Sequence, residues 1–205
     1  MASSYHGWTK EKLMAFEQDI ENEFLVAHVR APIHLSAGNE QQLIDIFAEY
    51  DIGNGKNYCF SPHRSQLHAL LHGIPPAWLK EQILLGRSMH INSREHKFMT
   101  SSIVNGCVPI AVGVAMALKR QDSPDKVWCF VGDMASSVGI FHENIKYASR
   151  NDLPIMFVVE DNGLATNTPT QEAWGDYPGK KNVKVYQYER GCAHINVANR
   201  FVEFK

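Results

Sequence analysis

Long apolar runs, basic blocks and internal repeats are all missing from this 205-residue sequence. No stretch approaches the roughly 18 consecutive apolar residues that a membrane-spanning helix needs, so no membrane span is expected. The formal net charge is −2 and no cluster of Lys and Arg stands out, which argues against a nucleic-acid-binding surface. The N-terminal stretch MASSYHGWTKEKLMAFEQDIENEF carries acids and lacks the apolar centre of a signal peptide. Cysteine is scarce, and Cys59, Cys107, Cys129 and Cys192 show no C-x-x-C spacing. Cys107 and Cys129 sit in apolar runs, as buried free thiols of a reducing compartment would. A cytoplasmic location is therefore expected.

What is present is ordinary for a soluble globular protein: 44% hydrophobic and 20% charged residues. The length suits one domain with a full core, here residues 1–205, with an N-terminal helical segment 1–30 and an atypical tail 171–205. Leu13, Phe16, Ile20 and Phe24 fall on one face of a helix within 9–30. A second helix follows Gly38, carrying Leu43, Ile44, Phe47 and Tyr50 at helical spacing. The stretch 51–57, DIGNGKN, reads as a loop. A short strand and a helix through His72 come next, and Pro75-Pro76 opens another helix that Gly86 closes. Residues 87–103 are polar and aperiodic and read as a long loop with a binding role. An apolar helix over 108–120 contains Gly113, which would permit close backbone approach.

The pattern then becomes strand 126–132, helix 138–150, strand 153–160. Both strands are continuous apolar runs without alternation, as in a parallel sheet covered on both faces. A doubly wound, mostly parallel α/β sheet flanked by helices is the expected fold. The tail contains an alternating VKVYQY and ends in RFVEFK, neither of which declares its place.

Asp133 follows the first of these strands, and Asn162 ends the second in the sequence EDNG, 29 positions later. In a right-handed β-α-β crossover the two strands run parallel and finish at one edge. Neighbouring strands lie about 4.8 Å apart. Asp133 and Asn162 would then stand together where doubly wound sheets bind ligands. A carboxylate and a carboxamide oxygen suit Mg²⁺, which takes few protein ligands and fills its shell with water and phosphate oxygens. Singly, each residue has a plainer reading: Asp133 as a helix cap, Asp161-Asn162-Gly163 as a turn. Together, at two tips of one crossover, they favour the metal. His68 and His72 share an i, i+4 spacing without a further ligand, and read as structural.

The segment GDMASSVGIFHENIKYASRNDLPIMFVVEDNGLATNTP resembles the thiamine diphosphate signature. Upstream, HLSAGNE, PHRSQLHALLHGI, GRSMH and NGCVPIAVGVAMALK extend the likeness over roughly residues 31 to 170. The chain resembles the α subunit of 2-oxo acid dehydrogenase E1 components of the pyruvate, branched-chain and acetoin type. The resemblance implies thiamine diphosphate and Mg²⁺ as cofactors and the diphosphate-binding domain of that fold. It implies Asp133, Asn162 and the carbonyl of Leu164 as metal ligands. It also implies Arg64 on the diphosphate beside His63, which replaces the family's tyrosine. Gly106 and Val108 match contacts to the aminopyrimidine, and Gly132, Asp133, Met134 and Ala135 match the diphosphate turn. His34 and His90 match histidines near the reacting ring, where an imidazole serves as acid or base.

The same resemblance implies decarboxylation of a 2-oxo acid and transfer of the acyl or aldehyde unit. The activating glutamate belongs, in the family, to a pyrimidine-binding domain on a β subunit, so a heterotetramer with a β-type partner is expected. Three departures stand out. Met134 takes the place of a glycine, Leu164 replaces a tyrosine, and residues 171–205 stand where the family has a longer portion with a phosphorylation loop. That leaves docking to a lipoyl acyltransferase open. Two other readings remain: a split transketolase-like enzyme moving a two-carbon unit between sugars, and a non-catalytic cofactor-binding or scaffolding subunit.

Overall fold

A computed structural model describes residues 1–29, 31–166, 168–175 and 182–191. Four helices lead or interrupt the first part of the chain: α1 (Lys10–Leu25), α2 (Glu40–Tyr50), α3 (Gln66–Leu71) and α4 (Pro76–Leu84), with β1 (Tyr58–Ser61) between α2 and α3. Next come β2 (Asn92–Ser93), β3 (Phe98–Thr100), α5 (Cys107–Arg120) and β4 (Val127–Gly132). The chain continues through α6 (Asp133–Ser136), α7 (Gly139–Arg150), β5 (Ile155–Asp161), α8 (Thr170–Trp174) and β6 (Val183–Gln187). The six strands form one sheet in the order β2-β3-β1-β4-β5-β6. All pairings are parallel except β2 with β3. The expected α/β class, with its mostly parallel sheet, is what the chain adopts.

Both faces of the sheet are covered, which explains the missing alternation in the strands. Along β4, Trp128 and Phe130 join the apolar cluster built with α1 to α4. Val127, Cys129 and Val131 join the opposite cluster, built with α5 and α7. α1 begins at Thr9, whose hydroxyl accepts from the Lys12 N–H. It buries Leu13 and Ile20 completely, and each contributes about 1.5–3 kcal/mol. Among the described residues no helix is long and apolar enough to cross a membrane.

Two sequence expectations need correction. Residues 87–103 are not a plain loop, because β2 and β3 lie within or against them and β3 extends the sheet beside β1. Strands of two and three residues are too short for periodicity to reveal. Gly113 makes no close backbone approach, since a Cβ there would meet nothing within 4 Å. The alternating tail segment that sequence could not place is β6, paired with β5. The RFVEFK ending and Cys192 lie outside the described residues.

Candidate active site

β1 pairs with β3 on one side and with β4 on the other, so the sheet grows in opposite directions from β1. Ligands of doubly wound sheets bind at such a switch point, beyond the carboxyl ends of the strands. A cleft of about 260 Å³ lies there. It is lined by the residues following β1 (Pro62, His63, Arg64), the tip of β4 (Gly132 to Ala135), the end of β5 (Glu160, Asn162) and Tyr188 after β6. The start of α5 also lines it, through Cys107 and Val108 and through Asn105 and the cap residue Gly106 just ahead of them, and a helix N-terminus favours an anion.

Each tip residue is held by named partners. β4 and β5 pair through six residues, from Val127 opposite Ile155 to Gly132 opposite Glu160, so Asp133 and Asn162 leave adjacent strands at the same edge. Asp133 is the first residue of α6 while Gly132 occupies the cap position, so the aspartate is not the cap. Its Oδ2 accepts the hydroxyl proton of Thr170. Burial raises the Asp133 carboxyl above its usual value, and the Thr170 hydrogen bond opposes that shift. The turn reading of Asp161-Asn162-Gly163 is realised as well. Gly163 N–H donates to Asp161 Oδ1 at 2.9 Å, and Leu164 N–H donates to Asn162 Oδ1 at 3.0 Å.

Beneath the cleft, Glu160 accepts from Tyr186 at 2.6 Å and from Asn39 at 3.2 Å, and its Oε1 lies 3.1 Å from His68 Nε2. This buried network accounts for His68 structurally. His72 is buried too, and burial pushes its imidazole down to about 4. The loop carrying His34 is pinned by Glu17 of α1, which accepts from Ser36 N–H at 2.8 Å and Ala37 N–H at 3.0 Å. Burial drives that carboxyl up to about 7, against the pull of the two N–H groups. Gly38 has φ +115°, and a Cβ there would stand 2.1 Å from the Glu189 carbonyl oxygen. No L side chain fits, and the close contact joins this loop to the segment after β6.

Comparisons with known proteins identify the family. The family model for the dehydrogenase E1 component matches residues 10–182. The chain belongs to that family. The alpha subunit of acetoin:2,6-dichlorophenolindophenol oxidoreductase from Bacillus subtilis (strain 168) is 28% identical over 179 residues, 81% of this chain and 53% of that protein. Pyruvate dehydrogenase E1 component subunit alpha from Zymomonas mobilis is 30% identical over 150 residues, 68% of this chain and 42% of that protein. The mitochondrial 2-oxoisovalerate dehydrogenase subunit alpha from Bos taurus is 39% identical over 92 residues, 43% of this chain. The chain spans about half the length of the first of these relatives and less of the others.

Of the twelve positions singled out in this dehydrogenase E1 component chain, the fold brings ten to the cleft: His63, Arg64, Gly106, Val108, Gly132, Asp133, Met134, Ala135, Asn162 and Leu164. His34 stands behind them, its ring edge-on to His63 with 4.6 Å between centroids. His90 is exposed and lies outside the lining, with its Nε2 3.2 Å from Ser102 Oγ.

Sequence reasoning missed Asn105, Glu160, Thr170 and Tyr188. Glu160 stands two residues before Asn162 in EDNG, and Asn105 opens the α5 motif, so both left a trace. Thr170 and Tyr188 left none.

The donors fit a divalent cation with a phosphorylated ligand. Among the described residues no three His, Cys, Asp or Glu gather for a metal. The carboxylate of Asp133 instead keeps company with the carboxamide of Asn162 and the turn through Leu164. Such hard oxygens suit Mg²⁺, and the Arg64 guanidinium at the same cleft suits phosphate oxygens. Asn105 Oδ1 is buried and has no hydrogen-bond partner among the described residues, leaving an acceptor at the cleft. Gly106 lets the 101–103 turn lie against α5, since a Cβ there would stand 2.6 Å from Ser101 Oγ.

Proposed function

We propose that the chain, read as one diphosphate-binding domain, is the α-type subunit of a thiamine diphosphate-dependent enzyme acting on a 2-oxo acid. The observation that carries this reading is the meeting of Asp133 and Asn162 at adjacent tips of β4 and β5, with Arg64 lining the same cleft. Asp133, Asn162 and the Leu164 carbonyl would hold Mg²⁺. Arg64, His63 and the turn from Gly132 to Ala135 would hold the diphosphate. Gly106 and Val108 would support the aminopyrimidine. When bound, thiamine diphosphate would supply the carbanion chemistry that releases CO₂ from a 2-oxo acid and passes on the remaining acyl or aldehyde unit.

The chain's own residues bind, orient and exclude water. Val108, fully buried, keeps one wall of the cleft dry. His34 would act through its contact with His63, holding that ring against the cleft, and His90 would act as an acid or base from the rim.

A β-type partner with a pyrimidine-binding domain, in a heterotetramer, would complete the site. The names of the relatives as alpha subunits support this, as do Ile103 and Val104 at the cleft rim, 72% and 65% exposed. Transfer to a lipoyl acyltransferase is one destination for the acyl unit. A cytoplasmic setting accords with the free buried Cys59, Cys107 and Cys129.

Calorimetry with thiamine diphosphate, with and without Mg²⁺, tests the reading. Binding that needs Mg²⁺ and disappears in Asp133→Asn is expected. Absence of binding by the wild-type chain with its β-type partner present would overturn it in favour of a scaffolding subunit, a role that Met134 in the cleft lining would suit. CO₂ release from pyruvate, against ketol transfer from a ketose phosphate, separates the 2-oxo acid reading from a transketolase-like one.

A further inference from the structure

A carboxamide is an ambiguous metal ligand, because it has an oxygen at one end and an NH₂ at the other. A cation at the cleft demands the oxygen, and an NH₂ turned toward it would repel it. Asn162 therefore needs its orientation fixed from outside the cleft. One end is set by the Leu164 N–H, which donates to Oδ1 at 3.0 Å and rejects the NH₂. The other end is set from β6: Asn162 Nδ2 donates to the Tyr188 hydroxyl at 3.1 Å. Tyr188 is itself placed by the sheet. Its N–H donates to the Asp161 carbonyl at 2.9 Å, continuing the β5–β6 ladder by one residue. Its ring packs against Tyr186, with 5.9 Å between centroids, and the Tyr186 hydroxyl is anchored on Glu160. β6 and Tyr188 lie beyond residues 10–182, the span the family model matches.

We infer that Tyr188 is a positioning residue for the metal site: its hydroxyl holds the NH₂ end of Asn162 toward β6 and so presents the carboxamide oxygen to the cation. This rests on the proposed function, in which Asn162 is a Mg²⁺ ligand. Tyr188→Phe removes the hydroxyl and leaves the ring and the ladder bond. Partners that orient a ligand typically alter metal affinity by about tenfold or more when lost.

The full chain is titrated with Mg²⁺ at fixed thiamine diphosphate, and binding is followed by calorimetry. Tyr188→Phe is expected to raise the Mg²⁺ midpoint about tenfold, while the thermal midpoint without ligand stays near that of the wild type. Asn162→Asp supplies the second arm. A carboxylate has oxygens at both ends, so adding Tyr188→Phe to that variant is expected to leave its Mg²⁺ midpoint unchanged. An unchanged midpoint in Tyr188→Phe alone, or an equal loss in the Asn162→Asp background, overturns the inference while Mg²⁺-dependent binding by the wild type stands. A wild type whose binding ignores Mg²⁺ overturns the proposed function together with it.

Discussion

The hydroxyl of Thr170 donates to Oδ2 of Asp133, joining the first turn of α8 to the tip of β4. The two residues are 37 positions apart, and the bond orients a carboxylate that burial alone would push toward its protonated form. Hydrogen bonds to charged groups contribute about 1.5–3 kcal/mol. Thr170→Val keeps the shape and removes the donor. It is expected to weaken Mg²⁺-dependent binding of thiamine diphosphate about tenfold, the lower end of that range. Calorimetry at pH 7 checks this, and an unchanged dissociation constant would show that Thr170 does not orient the ligand.

Met134 occupies the second position of α6 and lines the cleft. In the proposed site its side chain would crowd the diphosphate. Met134→Gly is expected to tighten thiamine diphosphate binding roughly fivefold, about 1 kcal/mol, while a glycine in this short helix costs about as much in stability. Weaker binding in the variant would mean that the methionine packs on the ligand rather than crowding it.

Glu17 links stability to pH. Its folded-state value of about 7 lies above the usual 4.5, so its protonated form is favoured by folding. That contribution is fully present below about pH 4.5 and is lost as pH rises to about 7. His72 works in the opposite sense: its folded-state value of about 4 lies below the usual 6.5, so stability falls as pH drops between them. Comparing the wild type with Glu17→Gln in urea unfolding separates the two, because His72 is common to both. The advantage of the wild type is expected to shrink by up to about 3 kcal/mol between pH 4.5 and 7.5. A difference independent of pH would contradict the assignment.

Gly38→Ala tests the contact between the His34 loop and the segment after β6. With φ at +115° and a Cβ 2.1 Å from the Glu189 carbonyl oxygen, the substitution cannot be absorbed by a side-chain movement. A loss of about 1–3 kcal/mol is expected, read as a lower denaturant midpoint. A midpoint within error of the wild type would mean that the contact opens freely.

How much of this was legible before the fold was known depended on length and on burial of apolar groups. The crossover from β4 through α7 to β5 was readable because its strands are six and seven residues of nearly pure apolar sequence. The adjacency of Asp133 and Asn162 followed from that topology alone. β2 and β3 were not readable, because five residues in two strands carry no period. β6 alternated, yet nothing in its own residues said which strand it joins. Glu17 sits on the buried face of α1 between Leu13 and Ile20, and sequence assigns an acid to solvent unless its partners are known. Those partners, the N–H groups of Ser36 and Ala37, are main-chain groups that no side-chain pattern reports. Thr170 and Tyr188 reach Asp133 and Asn162 only through tertiary contacts, and the positions of α8 and β6 had to be seen first.

The buried network around Glu160 has a consequence for how the chain is made. Asn39 finds its acceptor 121 residues downstream and its tyrosine partner 147 residues downstream. A ribosome adding 5–20 residues per second delivers Glu160 roughly 6–25 s after Asn39. During that interval Leu43 and Phe47 have no Phe130 or Val158 to pack on, since those residues of their cluster are also still to come. The nascent helices α1 to α4 thus wait with a bare oily face until β4 and β5 have emerged to cover it.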